Sequence, residues 1–231
     1  MSSTAAARAA MAAPSSLTLL DASNRPEHAF LAASDHCAYL SPYSSGRDYR
    51  ADHCNQLLRN FKCQPSAARI DPRRRHYKQQ AIATLALRLR HAVPREQAEE
   101  CTWVPIPPSK RRGDPDFDDR LARTLGLAFA GYDVDVRALL YQVQSTVPDH
   151  SHPSRLSVEA LYGNLRLDPQ ILSCRPLRTC IALFDDLLTS GKHYRCCERR
   201  LKQTLPSTPI AGVFLMRRVL PRCRHGHGCA A

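Results

Sequence analysis

The chain has 231 residues, 43% of them hydrophobic, which suits one α/β domain with a sizeable core and extra segments at its ends. It contains no run of roughly 18 apolar residues, so we expect no membrane-spanning segment and no membrane partner. The 33 lysines and arginines exceed the 21 aspartates and glutamates and give a formal net charge of +12. This excess indicates nucleic acid or a small polyphosphate as a partner, or an arginine-rich genome without either.

The ten cysteines are spaced irregularly and form no CxxC pair, so neither a zinc ribbon nor a thioredoxin-like site is indicated. The chain is too long for a small disulfide-rich scaffold. We therefore expect reduced thiols and a cytoplasmic protein. The sequence Asp-His-Cys occurs at 35–37 and 52–54, and the tail is rich in cysteine and histidine, which are zinc ligands by type. Spacing this loose also arises by chance, so no zinc site is assigned.

Residues 1–26 are rich in alanine and serine and show no hydrophobic periodicity. We interpret them as a disordered or wrongly annotated extension, because Arg8 is the only arginine among residues 1–20 and gives little support for a transit peptide. Periodicity does not settle the structure of residues 27–65, apart from a short helix expected from about Asn55 to Phe61. Residues 221–231 are expected to form a flexible tail.

A clear helix is predicted from Asp71-Pro72, where a capping aspartate precedes proline at the first helical position, to just before Pro94. Its first turns carry a basic cluster made of Arg73, Arg74, Arg75 and Lys78. Cations at this end of a helix oppose its dipole, so the cluster is not placed for helix stability. It either contacts phosphate or forms a solvated basic face.

The remaining elements alternate between strands and helices. A strand over Thr102 to Ile106 ends at Pro107-Pro108 and leads into a basic loop over residues 109–113. Asp114-Pro115 predicts the start of a helix with Phe117, Leu121, Leu125 and Phe129 on its core face. Further strands are expected at Val134 to Tyr141, Asn164 to Leu167, Thr179 to Phe184 and Ile210 to Leu220, with a helix from Lys192 to Leu205 and a long unpatterned loop over 142–160. This order predicts a parallel sheet covered by helices.

The segment from Ile181 to His193 carries the clearest chemical signal. Its apolar strand ends in two acids, Asp185 and Asp186, and the hydroxyl residues Thr189 and Ser190 then precede Gly191 and a helix. Ligands gather at the carboxyl ends of parallel strands, and the free N–H groups of a helix N-terminus favour phosphate. Carboxylates repel phosphate, so the acids suit sugar hydroxyls or a magnesium ion that also binds the phosphates. The pattern predicts a site for a phosphorylated sugar.

Residues 181–193 resemble the phosphoribosyl pyrophosphate motif of type I phosphoribosyltransferases, which has four apolar residues, two acids, two apolar residues, Thr-Thr-Gly, one further residue and threonine. Ser190 and His193 stand where that motif has its last two threonines. Residues 104–113 with Asp118, Asp119 and Arg120 resemble the competence protein F (ComF-like) branch, although the zinc-binding N-terminal segment of that branch is absent. The resemblance covers about residues 100–220.

The resemblance implies a type I phosphoribosyltransferase fold, with a twisted, mostly parallel sheet flanked by helices. The domain would cover residues 27–220, divided into a small N-terminal hood over 27–70 that reads the acceptor and a core over 71–220. In this family the loop after the first core strand binds pyrophosphate and often contains a non-proline cis peptide, which we expect between Ser109 and Lys110. Residues 142–160 occupy the place of the mobile lid that excludes water from the reaction.

The implied reaction transfers the ribosyl phosphate from phosphoribosyl pyrophosphate to a nitrogen nucleophile, with Mg²⁺ and release of pyrophosphate. Asp185 and Asp186 are the implied catalytic and metal-binding residues, since they would contact the ribose hydroxyls and stabilise the cationic transition state. The implied substrate-binding residues are Asp185, Asp186, Leu187, Leu188, Thr189, Ser190, Gly191, Lys192, Ser109, Lys110, Arg111 and Arg155.

Two other classes of function remain open at this point. One is a non-catalytic protein that senses phosphoribosyl pyrophosphate or a nucleotide, because such a protein would keep the acid pair and its loop. The other is a DNA-associated accessory protein, which the charge favours, although no aromatic-interleaved RNA motif or helix-turn-helix signature is present. A hydrolase using Asp185 would need an Asp-x-Asp pattern that the segment lacks. The sequence identifies neither the acceptor nor a homodimer interface.

Overall fold

The computed structural model describes residues 16–44, 53–146 and 157–220. Its strands are β1 (Thr18–Leu19), β2 (His36–Ser44), β3 (Cys101–Pro105), β4 (Asp135–Val136), β5 (Leu140–Gln142), β6 (Leu165–Leu167), β7 (Cys180–Leu188) and β8 (Ile210–Val219). Its α-helices are α1 (His53–Phe61), α2 (Pro65–Ile70), α3 (Pro72–Ala92), α4 (Arg95–Glu100), α5 (Arg120–Ala128), α6 (Val158–Asn164), α7 (Pro169–Ser173) and α8 (Lys192–Thr204). A short 3-10 helix, Arg25–Glu27, precedes β2.

The main sheet has the strand order β1-β2-β8-β7-β3-β4, and β5 and β6 form a separate antiparallel pair. Within the main sheet β1 runs antiparallel to β2, and the other four pairings are parallel. The prediction of an α/β fold with a mostly parallel sheet flanked by helices is therefore confirmed. Because parallel strands end at the same edge of a sheet, the loops that follow β3 and β7 lie on one side of the molecule.

The two faces of the sheet carry separate hydrophobic cores, because successive side chains of a strand point to opposite faces. In β7, Ala182 and Phe184 belong to one core, whereas Ile181 and Leu183 belong to the other. The first core takes its apolar side chains from α1, α3 and α5, and the second takes them from α6 and α8. Each fully buried Leu or Phe contributes roughly 1.5–3 kcal/mol, so these helices are held mainly by their apolar faces.

Helix α3 begins where the sequence predicts. The side chain of Asp71 accepts hydrogen bonds from the backbone N–H groups of Arg73 and Arg74, at 2.9 and 3.4 Å, and such a cap is worth about 1 kcal/mol. Arg73, Arg74 and Arg75 are exposed, as a basic surface cluster requires. Lys78 departs from this prediction, since its side chain is buried and forms an ion pair with Asp118 at 2.6 Å.

Two predicted elements have different bounds in the structure. The helix expected at Asp114 begins only at Arg120, because the side chain of Asp114 accepts a hydrogen bond from the Asp116 N–H at 2.8 Å and holds the chain in a local turn. The strand expected over Val134 to Tyr141 is divided into β4 and β5. Between them the Leu139 N–H donates to the Arg137 carbonyl at 2.9 Å, which is a three-residue turn that takes the chain out of the main sheet.

Cys101 and Cys180 are paired as a disulfide, so the expectation that the thiols are reduced is wrong for these two residues. They lie directly opposite each other in the register of β3 and β7, with their Cα atoms 4.9 Å apart. This separation falls in the range that a disulfide requires. The other described cysteines, which lie outside this disulfide, are Cys37, Cys54, Cys63, Cys174, Cys196 and Cys197.

The N-terminal part of the chain contributes directly to the core. Residues 16–26, predicted to belong to a disordered or wrongly annotated extension, contain β1 and part of the 3-10 helix. Strand β2, predicted to belong to the hood, lies inside the main sheet and pairs with β8. Residues 1–15, the tail from 221 and Arg155 lie outside the described residues. No helix within the described ranges has the length and apolar character needed to cross a membrane.

Candidate functional site

A cavity of about 220 Å³ opens at the carboxyl ends of β3 and β7. Its walls come from residues 106–110 after β3 and from residues 185–193, which run from the last part of β7 into the first turn of α8. Lys62, Gln64 and Pro65, which connect α1 to α2, close one side, together with Asp116, Asp118, Arg120 and Leu121 at the start of α5. The structure therefore brings the predicted acid pair, the hydroxyl-glycine loop and part of the predicted basic loop to one cavity, and the predicted hood segment forms part of its wall.

The acid pair lies at the end of β7, and its two members have different surroundings. Asp186 is buried, and its two carboxylate oxygens contact two cations. Lys62 Nζ lies 2.8 Å from Oδ1, and Arg120 donates to Oδ2 through Nη2 at 2.6 Å and through Nε at 3.2 Å. Asp185 accepts a hydrogen bond from the Asp186 backbone N–H at 2.8 Å. Asp186 is thus held in place by Lys62 and Arg120.

The two carboxyl groups consequently differ in acidity. Burial raises the pKa of Asp185 to about 7, and the adjacent negative charge of Asp186 acts in the same direction. Burial alone would also raise the pKa of Asp186, but the charges of Lys62 and Arg120 outweigh it and lower that pKa below its ordinary value. The site therefore holds one firmly ionised carboxylate beside a second carboxyl group that exchanges its proton near neutral pH.

The ion pairs continue beneath the cavity into the protein. Arg120 Nη1 contacts Asp118 Oδ2 at 2.9 Å, and the same oxygen accepts from Lys78 Nζ at 2.6 Å. The guanidinium of Arg120 also lies over the ring of Phe61, 5.5 Å from its centroid. Burial lowers the pKa of Lys78, although its ion pair with Asp118 opposes this shift. The network links α1, α3, α5 and β7. Lys78, predicted to contact phosphate or to lie on a solvated basic face, is instead a buried member of this network, and no functional role was predicted for Lys62, Asp118 or Arg120.

The loop after β7 has the backbone conformation that its glycine permits. Gly191 has φ +82°, which is in the left-handed region, and it is the N-cap of α8. Any Cβ at this position would lie 2.7 Å from the side chain of Leu31, so the space also excludes other residues. Thr189, Ser190 and Lys192 line the cavity beside it. Leu187 and Leu188 line it too but pack their side chains into the two cores, so they offer a ligand mainly backbone atoms.

The predicted pyrophosphate loop is only partly at the cavity. Ser109 and Lys110 line it, whereas Arg111 is exposed and does not. No peptide bond in the described ranges is cis, so the expected cis bond between Ser109 and Lys110 is wrong. The loop is instead held by the segment that follows β5. The Thr146 N–H donates to the Ser109 carbonyl at 2.7 Å, and the Arg111 N–H donates to Ser145 Oγ at 3.1 Å.

The predicted lid lies partly outside the described residues, at 147–156, together with Arg155. Its described ends are ordered. Asn164 holds the first end, accepting the Val143 N–H through its carbonyl at 3.0 Å and the Gln144 N–H through its side chain at 2.8 Å. The second end forms helix α6, which Ser157 caps by accepting the Ala160 N–H at 3.1 Å. The unpatterned segment is therefore shorter than the sequence predicts.

A metal ion would find few protein ligands here. Among the residues that the structure describes, no three His, Cys, Asp or Glu side chains are grouped to hold one. Both oxygens of Asp186 already contact cations, which leaves Asp185 as the acid of the pair without one. Magnesium typically keeps most of its ligands as water and substrate phosphate and takes one or two protein carboxylates. Asp185 is therefore the carboxylate of the pair that could contact such an ion.

Neither a protein-family model nor a curated protein matches the sequence. The residues of the cavity could bind three kinds of group: the acid pair could accept hydrogen bonds from hydroxyl groups, the glycine-containing N-terminus of α8 could bind an anion, and Lys110 could bind a second anionic group.

Proposed function

We propose that this protein binds phosphoribosyl pyrophosphate and transfers its phosphoribosyl group to a nitrogen nucleophile. One observation carries the proposal: an acid pair, with Asp186 buried and Asp185 partly buried, and the glycine-containing N-terminus of α8 line the same cavity at the carboxyl end of β7. Hydroxyl groups and a phosphate are the ligand groups that match these two features, and a ribose 5-phosphate carries both, a few bonds apart. The resemblance of residues 181–193 to the phosphoribosyl pyrophosphate motif supports the same ligand.

In this proposal the 5-phosphate lies at the loop formed by Thr189, Ser190 and Gly191, which offers backbone N–H groups and two hydroxyls. The 2- and 3-hydroxyls of the ribose donate hydrogen bonds to Asp185 and Asp186. Lys110, on the other wall of the cavity, neutralises the diphosphate. Magnesium, when bound, comes with the diphosphate and offsets the negative charge of that leaving group.

The reaction exchanges one bond at C1 for another. The bond from C1 to the diphosphate oxygen breaks and its electron pair leaves with the diphosphate, while the lone pair of the nitrogen forms the new C1–N bond and the nitrogen loses a proton. Positive charge develops on the sugar ring during this exchange. The fixed negative charge of Asp186, oriented by Lys62 and Arg120, is positioned to stabilise it.

The test is release of pyrophosphate from phosphoribosyl pyrophosphate in the presence of Mg²⁺ and a panel of nitrogen nucleophiles. Asp185→Asn is the informative variant, because asparagine keeps the oxygen that accepts the Asp186 N–H and loses only the charge. Asp119→Asn is its matched control, since Asp119 is an exposed acid that does not line the cavity. The proposal predicts release that depends on the acceptor and is lost in Asp185→Asn but not in Asp119→Asn.

Other outcomes of the same assay point elsewhere. Binding of phosphoribosyl pyrophosphate without release, for every acceptor tried, would favour a sensor of this metabolite over a transferase. Equal release by wild type and Asp185→Asn would contradict the role given to the acid pair.

A second candidate function rests on the exposed arginines at the start of α3. Arg73, Arg74 and Arg75 are exposed and oppose the helix dipole, so an anionic partner would stabilise them. Nucleic acid is the partner that such a surface suits, and its binding would weaken steeply as salt increases. Changing all three arginines to glutamate separates the two functions: DNA binding would be lost, while pyrophosphate release would be unchanged. Absence of salt-dependent DNA binding by the wild type removes this candidate.

A further inference from the structure

The N-terminal segment from Leu20 to Asp35 lies behind the loop that precedes α8. Two of its groups bind consecutive carbonyls of that loop: the Phe30 N–H donates to the Ser190 carbonyl at 2.9 Å, and His28 Nδ1 hydrogen-bonds the Thr189 carbonyl. Leu31 fills the space where a side chain at position 191 would stand. The back of the loop is therefore covered by one continuous segment of this chain.

These contacts determine which way the loop amides point. In a trans peptide the carbonyl of one residue and the N–H of the next point in opposite directions, and the described residues contain no cis peptide. The Thr189 and Ser190 carbonyls point toward the N-terminal segment. The N–H groups of Ser190 and Gly191 therefore point away from that segment. Both residues line the cavity, so the amides are directed to where an anion would lie.

His28 is suited to this task by its surroundings. Its side chain is 1% exposed, and burial lowers the pKa of His28, so the neutral ring is favoured. A carbonyl can only accept, so Nδ1 carries the proton and donates it to Thr189. Within the described parts of the chain, Nε2 has no hydrogen-bond partner. The contact to Thr189 is thus the one hydrogen bond of this buried ring among those residues.

The segment that carries His28 is anchored by Glu27 and Arg25. Glu27 accepts hydrogen bonds from Arg217 at 2.9 Å and from the Leu220 N–H at 3.1 Å, which tie it to the end of β8. Arg25 donates to the Ala32 and Asp35 carbonyls at 2.8 and 2.9 Å and closes the segment on itself. Such anchors hold the imidazole against the loop without help from a ligand, which is the condition for a preorganised site.

We infer that His28 is a positioning residue: by binding the Thr189 carbonyl, it turns the loop amides of Ser190 and Gly191 toward the phosphate group of the ligand. This inference rests on the proposed function, because it assigns the phosphate of the sugar to that loop. It adds that the loop is organised by an N-terminal segment which lies outside the sequence motif.

Two variants separate the hydrogen bond from the volume of the ring. His28→Asn keeps an N–H donor close to the position of Nδ1, whereas His28→Leu keeps an apolar side chain of comparable bulk and loses the donor. Leu20→Ala is the control, because Leu20 is a buried residue of the same segment that does not contact the loop carbonyls. Calorimetric titrations with ribose 5-phosphate and with inorganic pyrophosphate are compared for each protein, and the melting temperature is recorded.

We expect His28→Leu to weaken ribose 5-phosphate binding by about tenfold, which is the effect of one well-placed hydrogen bond. Pyrophosphate binding, which the proposal assigns to Lys110, should stay unchanged. His28→Asn should restore the ribose 5-phosphate affinity, and Leu20→Ala should lower the melting temperature without changing either affinity. If His28 had a purely structural role, His28→Leu would instead weaken the binding of both ligands together.

Three results would overturn the inference. These are wild-type affinity for ribose 5-phosphate in His28→Leu, an equal loss for both ligands, or no rescue by His28→Asn. If His28→Leu does not fold, His28→Gln replaces it, because its longer side chain moves the donor away from Thr189. Failure of the proposed function looks different: the wild-type protein itself would then bind neither ribose 5-phosphate nor pyrophosphate.

Discussion

Replacing Lys78 by methionine should destabilise the protein far more than removing an ordinary surface charge. Lys78 and Asp118 are both buried, with side-chain exposures of 7% each and Nζ 2.6 Å from Oδ2. Breaking a buried ion pair by removing one partner costs about 3–5 kcal/mol. Asp118 keeps its contact with Arg120 at 2.9 Å, so we expect the lower end of this range, about 3 kcal/mol. That corresponds to a fall in melting temperature of roughly 6–12 °C for a domain of this size.

The assay is thermal unfolding of the wild type, Lys78→Met and Arg95→Met, followed by circular dichroism. Arg95 is the matched control because it forms an exposed ion pair with Glu99, at 2.7 Å, on the surface of α4. Exposed pairs of this kind contribute little to stability, so the control should melt close to the wild type. A Lys78→Met protein that melts no lower than Arg95→Met would refute the claim that this network holds the wall of the cavity together.

Three further predictions concern Gly191 in the loop before α8, His28 that binds this loop, and the disulfide. Gly191→Ala should lower both the melting temperature and the affinity for ribose 5-phosphate, whereas Gly131→Ala, which has the same positive φ but open space around it, should lower only the melting temperature. Because burial lowers the pKa of His28 below 6.5, the unfolded chain binds the extra proton first. The contribution of His28 should therefore be absent above pH 6.5 and should destabilise the fold as the pH drops through that value, and it should appear as the difference between urea titrations of the wild type and His28→Asn. Reducing the bond between Cys101 and Cys180 should lower the melting temperature but leave ligand affinity unchanged. The disulfide joins the first residues of β3 and β7, whereas the cavity lies at the carboxyl ends of these strands. A loss of affinity would contradict this placement.

The part of the site that could be predicted from the sequence is the part that is contiguous. Asp185, Asp186, Thr189, Ser190 and Gly191 lie within a few residues of one another, at a strand-to-helix turn whose period and residue types are visible in the sequence. The turn between β7 and α8 keeps these residues close together, so their proximity follows from their order in the sequence. For the same reason the bounds of α3, α8 and β8 agree closely with the prediction.

Contacts between distant segments could not be predicted in this way. Lys62, Lys78 and the neighbouring pair Asp118 and Arg120 come from three separate segments, and no periodicity relates a buried cation to its partner. Lys78 in particular follows three exposed arginines, and only the packing of α3 against the start of α5 distinguishes it from them. The structure of residues 16–44 could not be predicted either. Its strand β2 is formed by pairing with β8 at the other end of the chain, and local residue types do not reveal such a pairing.

Local competition explains the remaining differences. Asp114-Pro115 has the residue types of a helix start, but the side chain of Asp114 also accepts a hydrogen bond from Ser145 Oγ at 2.5 Å and joins the turn to another segment. Likewise, the run from Val134 to Tyr141 includes Arg137, whose side chain is buried against Asp135 at 2.6 Å. This pairing, and the turn that follows it, end β4 after two residues. Neither event follows from hydrophobic periodicity alone.

Calorimetric titration with phosphoribosyl pyrophosphate and Mg²⁺ tests the central claim most directly, using the wild type, Asp185→Asn, the Asp185→Asn/Asp186→Asn double variant and the exposed control Asp119→Asn. The account predicts binding by the wild type and by Asp119→Asn, at least about tenfold weaker binding by Asp185→Asn, and no measurable binding by the double variant. Lack of binding by a correctly folded wild-type protein, or equal affinity in all four proteins, would contradict the assignment of this cavity to phosphoribosyl pyrophosphate.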